Sequence, residues 1–284
     1  MKGKDYKKTT AKLLLSAMLV IGVFIQKSYA QDAVGYIGLT AAPLYTGLSS
    51  DRHSLGSVFG FSGGITPEVK IGEGFGIELD LLVSEKGGTR KYTDSTSNFY
   101  NGNYYYNYNL TYNFMYAQAD LLFKWYIHID HNPVIPYEAP GHHSFIFFEA
   151  GPYFADMLSY SSSGTVQQYG IDINFGRNDT ISIDGASKKS YSSSPTLNSS
   201  TISTTDIGAT VGFGVIFPVS HRGLLSFEAR YSKGFASIDN GEFGYYQERY
   251  STAVPSYWLI PANVTTFDVG LYVTFKYRVL GGGE

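Results

Sequence analysis

Residues 75–84 read Phe-Gly-Ile-Glu-Leu-Asp-Leu-Leu-Val-Ser, a stretch in which apolar side chains occupy nearly every second position. The apolar positions are 75, 77, 79, 81 and 83, whereas Glu78, Asp80 and Ser84 fall between them. Successive side chains of a β-strand point to opposite faces, so a period of two indicates a strand whose faces meet different environments. This stretch therefore predicts a strand with one apolar face and one charged face.

The same alternation recurs along the rest of the chain. It is equally clear in residues 117–129, 225–232 and 269–277, and weaker in residues 34–46, 57–71, 144–160 and 204–217. Together these segments predict eight strands of roughly ten residues or more. Strands in globular sheets usually have about five or six residues, so the predicted strands are unusually long.

The predicted connections also alternate in length. Tight turns are expected at 72–74 and 219–223, and long loops at 48–56, 87–104, 161–203 and 240–264. Short turns at one end and long loops at the other are typical of a transmembrane β-barrel, because a sheet in hydrocarbon must close to pair every backbone group. A soluble eight-stranded sandwich is the alternative. We predict an all-β, eight-stranded antiparallel up-and-down transmembrane barrel with long extracellular loops and mostly short periplasmic turns.

The composition agrees with a membrane barrel and excludes a helical membrane protein. Charged residues make up 16% of the chain and aromatic residues another 16%, against about 25% charged residues in ordinary soluble domains. No apolar run after the N-terminus is long enough for a membrane-spanning helix, and the absence of Cys excludes thiolate chemistry. Aromatic girdles at the membrane interfaces are predicted from Tyr36, Phe59, Phe61, Tyr112, Phe114, Tyr116, Trp125, Tyr160, Tyr231 and Tyr277.

The first thirty residues have the pattern of a secretory signal peptide. Five lysines precede an apolar run at 13–25, and small residues stand at Ser28 and Ala30. We predict a signal peptide over 1–30, cleavage between Ala30 and Gln31, and a barrel domain over 31–284; a membrane anchor is the alternative, but the run is too short to span. The mature chain has 15 basic and 23 acidic residues, a net charge near −8, which makes nucleic acid an unsuitable partner.

The polar faces of the predicted strands give the barrel a charged interior. An eight-stranded barrel is just wide enough for side chains to fill, so these charges are expected to form a buried ion-pair network; a narrow ion path is the alternative. The predicted members are Glu68, Lys70, Glu78, Asp80, Asp120, Lys124, Glu149, Asp206, Glu228, Arg230, Asp268, Lys276 and Arg278.

Nothing in the sequence indicates an enzyme. The chain has six His, none of them in a pattern typical of a hydrolase or a zinc protease. His142 and His143 are adjacent, but neighbouring side chains on a strand point apart, and no carboxylate is spaced to complete a metal site. We expect no catalytic residues, no cofactor and no metal.

One predicted loop has the composition of a recognition surface. It contains Tyr100, Tyr104, Tyr105, Tyr106 and Tyr108 among Asn residues, and Tyr and Asn combine rigid contact area with adaptable hydrogen bonding. The alternative is that such polar segments only extend the barrel wall into the lipopolysaccharide zone.

Four motifs, in order, resemble the PorT-type, porin-like outer-membrane β-barrel family of Bacteroidetes. They are the residues at 74–87, 117–124, 149–155 and 226–232. The resemblance implies a barrel in a Gram-negative outer membrane, in contact with outer-membrane lipid and lipopolysaccharide. We expect a monomer with both termini in the periplasm, because an even number of strands returns them to the side of the short turns. We expect a structural or surface-interaction role, with an envelope or extracellular protein as a partner. An accessory role in protein secretion or assembly, which the resemblance suggests, and a narrow pore are alternatives.

Overall fold

The structure is a computed structural model that describes part of the chain. The described residues are 33–50, 55–72, 74–98, 102–129, 144–171, 189–193, 203–238, 245–249, 256–260 and 263–280. Ala30 and Gln31, at the predicted cleavage site, and Tyr100 lie outside these ranges. Among the described residues there is no helix long and apolar enough to cross a membrane.

The described residues form eleven strands. These are β1 (Ala33–Ser50), β2 (Leu55–Ile71), β3 (Phe75–Asn98), β4 (Gly102–His128), β5 (Phe145–Ile171), β6 (Lys189–Ser193), β7 (Thr205–Pro218), β8 (Gly223–Gly234), β9 (Tyr245–Arg249), β10 (Ser256–Ile260) and β11 (Val264–Leu280). Eight of them pair in the closed antiparallel ring β1-β2-β3-β4-β5-β7-β8-β11, which confirms the predicted fold class. Strand β6 adds to β5, and β9 pairs with β10.

The alternation in the sequence becomes an inner and an outer face. On β11, Leu271 and Val273 are exposed outside the barrel, whereas Tyr272, Thr274 and Lys276 are buried inside it. The other ring strands follow the same rule. A barrel with polar side chains inside and apolar side chains outside is the inverse of a water-soluble sandwich. The structure therefore favours the predicted transmembrane barrel over the soluble sandwich.

The two ends of the barrel differ. At one end, which we call the short-turn end, residues 72–74 join β2 to β3, and Gly72 adopts a φ of 64° that favours glycine. At the same end β7 and β8 are joined by a turn in which the amide of Val219 donates to the carbonyl of Gly223 at 2.9 Å. Both predicted tight turns are confirmed. The opposite end, where β3 ends and β4 begins, is the loop end.

At the loop end the strands run further than predicted. Strands β3 and β4 pair continuously out to Asn98 and Gly102, and β5 reaches Ile171, so much of the predicted loop at 87–104 and the start of that at 161–203 are strand. Residues 51–54 alone separate β1 from β2, so the predicted loop at 48–56 is short. In the sequence, residues 91–98 are mostly polar at odd and even positions alike, so pairing continues there without the alternation that marks the earlier part of the strand.

Four of the predicted girdle aromatics lie inside the barrel. Tyr112, Phe114, Tyr116 and Tyr160 are all buried, whereas Phe59, Phe61, Trp125, Tyr231 and Tyr277 are exposed on the outer face and Tyr36 is half-buried. The three β4 aromatics share the even-numbered phase of Asp120 and Lys124, so the strand turns them inward with those charges. The girdle prediction is therefore wrong at these four positions.

Candidate functional site

The inner face of the barrel gathers the charges that the sequence assigned to it. Lys70 and Arg278 are half-buried. The other predicted members are buried: Glu68, Glu78, Asp80, Asp120, Lys124, Glu149, Asp206, Glu228, Arg230, Asp268 and Lys276. They come from seven of the eight ring strands, so closure of the barrel brings them together.

Arg230 on β8 lies at the centre of this interior and binds four carboxylates. Its Nε lies 2.7 Å from Oε1 of Glu149 and donates to Oε2 of Glu228 at 3.0 Å. Its Nη2 lies 3.1 Å from Oε1 of Glu78, and its Nη1 pairs with Asp80. A planar guanidinium with several fixed donors suits this multiple binding better than an ammonium group.

Glycines on the two neighbouring strands make room for Arg230 and for Tyr272, which packs against it. In the strand registers Arg230 stands opposite Gly212 on β7 and Gly270 on β11. A Cβ atom at Gly212 would lie 3.0 Å from Cγ of Arg230 and 2.5 Å from Oε1 of Glu149. The guanidinium carbon lies 4.5 Å from the ring centroid of Tyr272, a favourable cation–π arrangement. Small residues around a large one thus permit the close packing of the charges.

Two lysines complete the network. The Nζ of Lys124 lies 2.9 Å from Oε1 of Glu78, 3.1 Å from Oε2 of Glu149 and 3.8 Å from Oε1 of Glu228. All of these side chains are buried. Lys124 and Arg230 thus share the same three glutamates and hold them at close range.

The second lysine, Lys276 on β11, joins two glutamates that face each other. Glu68 on β2 stands directly opposite Glu78 on β3, a like-charge pair that is unfavourable by itself. The Nζ of Lys276 lies 2.6 Å from Oε2 of Glu68 and also pairs with Glu78. The hydroxyl of Tyr126 donates to Glu68. The lysine therefore turns a repulsive strand pair into a bridged one.

A second charged group lies nearer the loop end. The Nζ of Lys86 lies 2.9 Å from Oδ2 of Asp268, and Oδ2 of Asp206 accepts hydrogen bonds from Tyr153 at 3.0 Å and Thr266 at 2.5 Å. Lys86 and Arg90 are also buried, but the sequence pattern did not predict them because its alternation ends at Ser84. Both share the even-numbered phase of Glu78 on β3, and that phase could have revealed them.

Aromatic and aliphatic side chains fill the interior on either side of the charges. Toward the loop end, Phe114 stacks on Tyr160 with ring centroids 5.5 Å apart, within a buried cluster that also holds Tyr112 and Met157. Toward the short-turn end, Tyr126 lies in a cluster with Phe147 and Ile216. The charged layer is therefore enclosed by apolar layers along the barrel axis.

The arrangement is suited to charge pairing rather than to catalysis or metal binding. Carboxylate oxygens of Glu78, Glu149 and Glu228 lie within 4.8 Å of one another, a spacing that could hold a metal ion. The nitrogens of Lys124 and Arg230 already lie among these oxygens, so the protein's own cations fill that position. The geometry joins strands across the lumen.

Most of the predicted tyrosine loop is part of a β-strand rather than a loop. Tyr104, Tyr105, Tyr106 and Tyr108 belong to the paired part of β4, between β3 and β5. The segment is thus the middle strand of a sheet at the loop end.

Comparisons with known proteins give only remote structural likenesses. No family model matches the chain, and no curated protein matches it. The chain is similar to the crystal structure of Neisserial surface protein A (15% identity, 86% of this chain and 97% of that chain, TM-score 0.33). It is similar to Ail, the attachment invasion locus protein of Yersinia pestis (10% identity, 86% and 99%, TM-score 0.28), and to the outer membrane protein OprG of Pseudomonas aeruginosa (10% identity, 87% and 97%, TM-score 0.37). Likenesses of this size do not extend to function, and the fold assignment depends on this chain's own strand pairing.

Proposed function

We propose that the chain is a monomeric, non-enzymatic outer-membrane β-barrel that serves as a structural or surface-interaction protein of the cell envelope. The single observation that carries the proposal is the barrel's inverted polarity, with buried ion pairs inside and apolar side chains outside. The interaction would be made by the sheet that β3, β4 and β5 form at the loop end.

The outer face supports insertion in a membrane. Leu39, Phe213 and Leu271 are each more than half exposed, at 67%, 59% and 63%, and they belong to a band of exposed apolar residues on the ring strands. Such a surface is unfavourable in water and favourable in hydrocarbon. The resemblance to PorT-type barrels supports the Gram-negative outer membrane. The even number of ring strands supports both chain termini at the short-turn end, and short turns are typical of the periplasmic end of such barrels.

The filled interior argues against a pore. We expect purified protein to show heat-modifiable migration when isolated from outer-membrane fractions, because a closed barrel resists detergent until it is heated. In planar bilayers the same protein should give no stable single-channel conductance, because ion pairs and stacked rings occupy the lumen. Steady conductance from heat-modifiable protein would favour the narrow pore, and protein found only in soluble fractions would exclude the membrane barrel.

The extended sheet at the loop end supports a role in surface contact. Residues 91–98 of β3 and 102–109 of β4 continue the ladder beyond Arg90, the last position of β3 that pairs with β2. The pairing with β5 continues to Ile171. Three strands therefore continue past the point at which β2 stops, which gives a platform for lipopolysaccharide or a protein.

Shortening this platform separates its role from that of the barrel. Arg90 faces Leu110 in the ladder, so replacing residues 91–109 with an Asn-Gly turn should leave a closed hairpin. We expect heat-modifiable folding to persist while chemical cross-links to envelope proteins in intact cells, and binding to lipopolysaccharide, are lost. A variant in which only residues 99–101 are replaced by serine is the control. Unchanged cross-linking and lipopolysaccharide binding in the shortened variant would refute the interaction role.

The resemblance to PorT-type barrels favours one second candidate, an accessory role in protein secretion or assembly. That role would show as cross-links to secretion components and as loss of exported proteins in a deletion strain. A purely structural or adhesive barrel would leave export intact.

A further inference from the structure

Asp120 on β4 is a buried carboxylate held by an amide side chain. It is 1% exposed, and both its oxygens accept from Nε2 of Gln118, at 2.8 and 3.0 Å. Within the ranges that the structure describes, no lysine or arginine forms a salt bridge with it. A buried ionised carboxylate without a cation is strongly unfavourable.

A second carboxylate faces it. Asp80 on β3 stands directly opposite Asp120 in the strand register, and side chains in such pairs lie close together on one face. Oδ2 of Asp80 pairs with Arg230, but no described residue forms a hydrogen bond with its buried Oδ1. Among the same described residues, buried Oε1 of Gln118 likewise has no hydrogen-bond partner. Two unpartnered acceptors beside an unpaired carboxylate call for a donor that the described side chains do not supply.

The charge balance of the interior also calls for an additional positive charge near the buried acids. The described buried acids are Glu68, Glu78, Asp80, Asp120, Glu149, Asp206, Glu228 and Asp268, and the buried bases are Lys86, Arg90, Lys124, Arg230 and Lys276. The acids exceed the bases by three. Apolar layers and the barrel wall enclose these groups, so solvent does little to offset the excess.

We propose that Asp80 and Asp120 share one proton and form a proton-binding site inside the barrel. Two carboxyl groups side by side cannot both ionise without large repulsion, whereas one shared proton makes the pair a donor and an acceptor. The proton also supplies the donor that Oδ1 of Asp80 or, after rotation of its amide, Oε1 of Gln118 requires. The site is independent of the proposed envelope function.

The groups around the pair set how firmly it holds the proton. Arg230 on β8 and Lys86 on β3 are cations within electrostatic range of Asp120, and Asp268 on β11 is a further acid in that range. Asp80 has Glu78, Arg230 and Lys124 in its range. Tyr153 on β5 stands opposite Asp120 in the register, and Tyr272 on β11 lies within electrostatic range. Arg230, which pairs with Asp80, is already bound to four carboxylates, so a shared proton would offset one of the three excess acids.

The proposal predicts a stability that falls as pH rises. The folded barrel holds a proton that the unfolded chain releases above its ordinary carboxyl range, so raising the pH from about 5 to about 9 favours unfolding. We expect the temperature of the heat-modifiable transition to fall over this range in the wild type. In Asp120→Asn, the decrease in transition temperature that comes from loss of the shared proton should be absent. The variant should be at least as stable as the wild type at about pH 9, because the amide cannot ionise.

Infrared spectroscopy provides a second readout, which begins with the wild-type protein. Folded wild-type protein at neutral pH should show the carbonyl stretch of a protonated carboxyl group, and Asp120→Asn should lack it. Glu85→Gln is the matched control, since Glu85 is a half-exposed carboxyl on the same sheet, and it should keep both the band and the pH dependence.

Three results would overturn the proposal. One is the absence of a protonated carboxyl band in the wild type, and another is a loss of stability in Asp120→Asn at neutral pH, which would indicate an ionised, paired carboxylate. The third is a transition temperature that depends on sodium or calcium rather than on pH, tested by exchange into choline chloride with EDTA. That result would assign the neutralising role to a metal cation.

Discussion

Replacing Arg230 with methionine is expected to cost the barrel about 3 to 5 kcal/mol of unfolding free energy, the range for breaking a buried ion pair from one side. Methionine fills similar space but leaves Glu78, Asp80, Glu149 and Glu228 without their shared guanidinium. Four carboxylates would then lie in a lumen that already has more acids than bases. Urea unfolding in lipid vesicles, followed by tryptophan fluorescence and heat-modifiability, measures the loss.

Two further variants separate charge from packing. Arg278→Met changes an arginine that is only half-buried, and we expect an effect below about 1 kcal/mol because a partly solvated charge contributes little. Adding Glu149→Gln and Glu228→Gln to Arg230→Met should restore part of the lost stability by removing uncompensated charges. Equal losses for the two arginine variants would contradict a network centred on Arg230.

Phe227→Arg is expected to cost about 2 to 4 kcal/mol, the range for arginine on the lipid face near the middle of a membrane. Phe227 on β8 is 46% exposed on the outer face and stands between Val215 on β7 and Val273 on β11. Phe227→Leu keeps the face apolar and should cost much less. The same unfolding measurement in lipid vesicles compares the two.

The outcome of this comparison tests whether the outer face of the barrel contacts lipid or water. If arginine at position 227 were no more costly than leucine, that face would lie in water and the barrel would not be inserted as proposed. A large cost confined to arginine would agree with the exposed band of apolar residues being in hydrocarbon.

The sequence determined the strands and their faces. The period of two in residues 75–84 placed Glu78 and Asp80 on one face and Leu79 and Leu81 on the other, and the same reasoning assigned Arg230 and Lys276 to the interior. These assignments need only local information, because the side chain of each strand residue points opposite to that of its neighbour. The number of ring strands and both tight turns could also be predicted from local sequence.

Only the tertiary structure decided which charges meet and how far the strands continue. Arg230 and Asp80 are 150 residues apart in the chain, and their contact depends on closure, register and the glycines opposite Arg230. The facing of Asp120 by Asp80 likewise depends on a register between two strands. The alternation in β3 also ends near Ser84, because residues 91–98 are mostly polar at odd and even positions alike, although the strand continues to Asn98. Periodicity is a property of one segment, whereas ion pairing across the lumen is a property of the closed barrel.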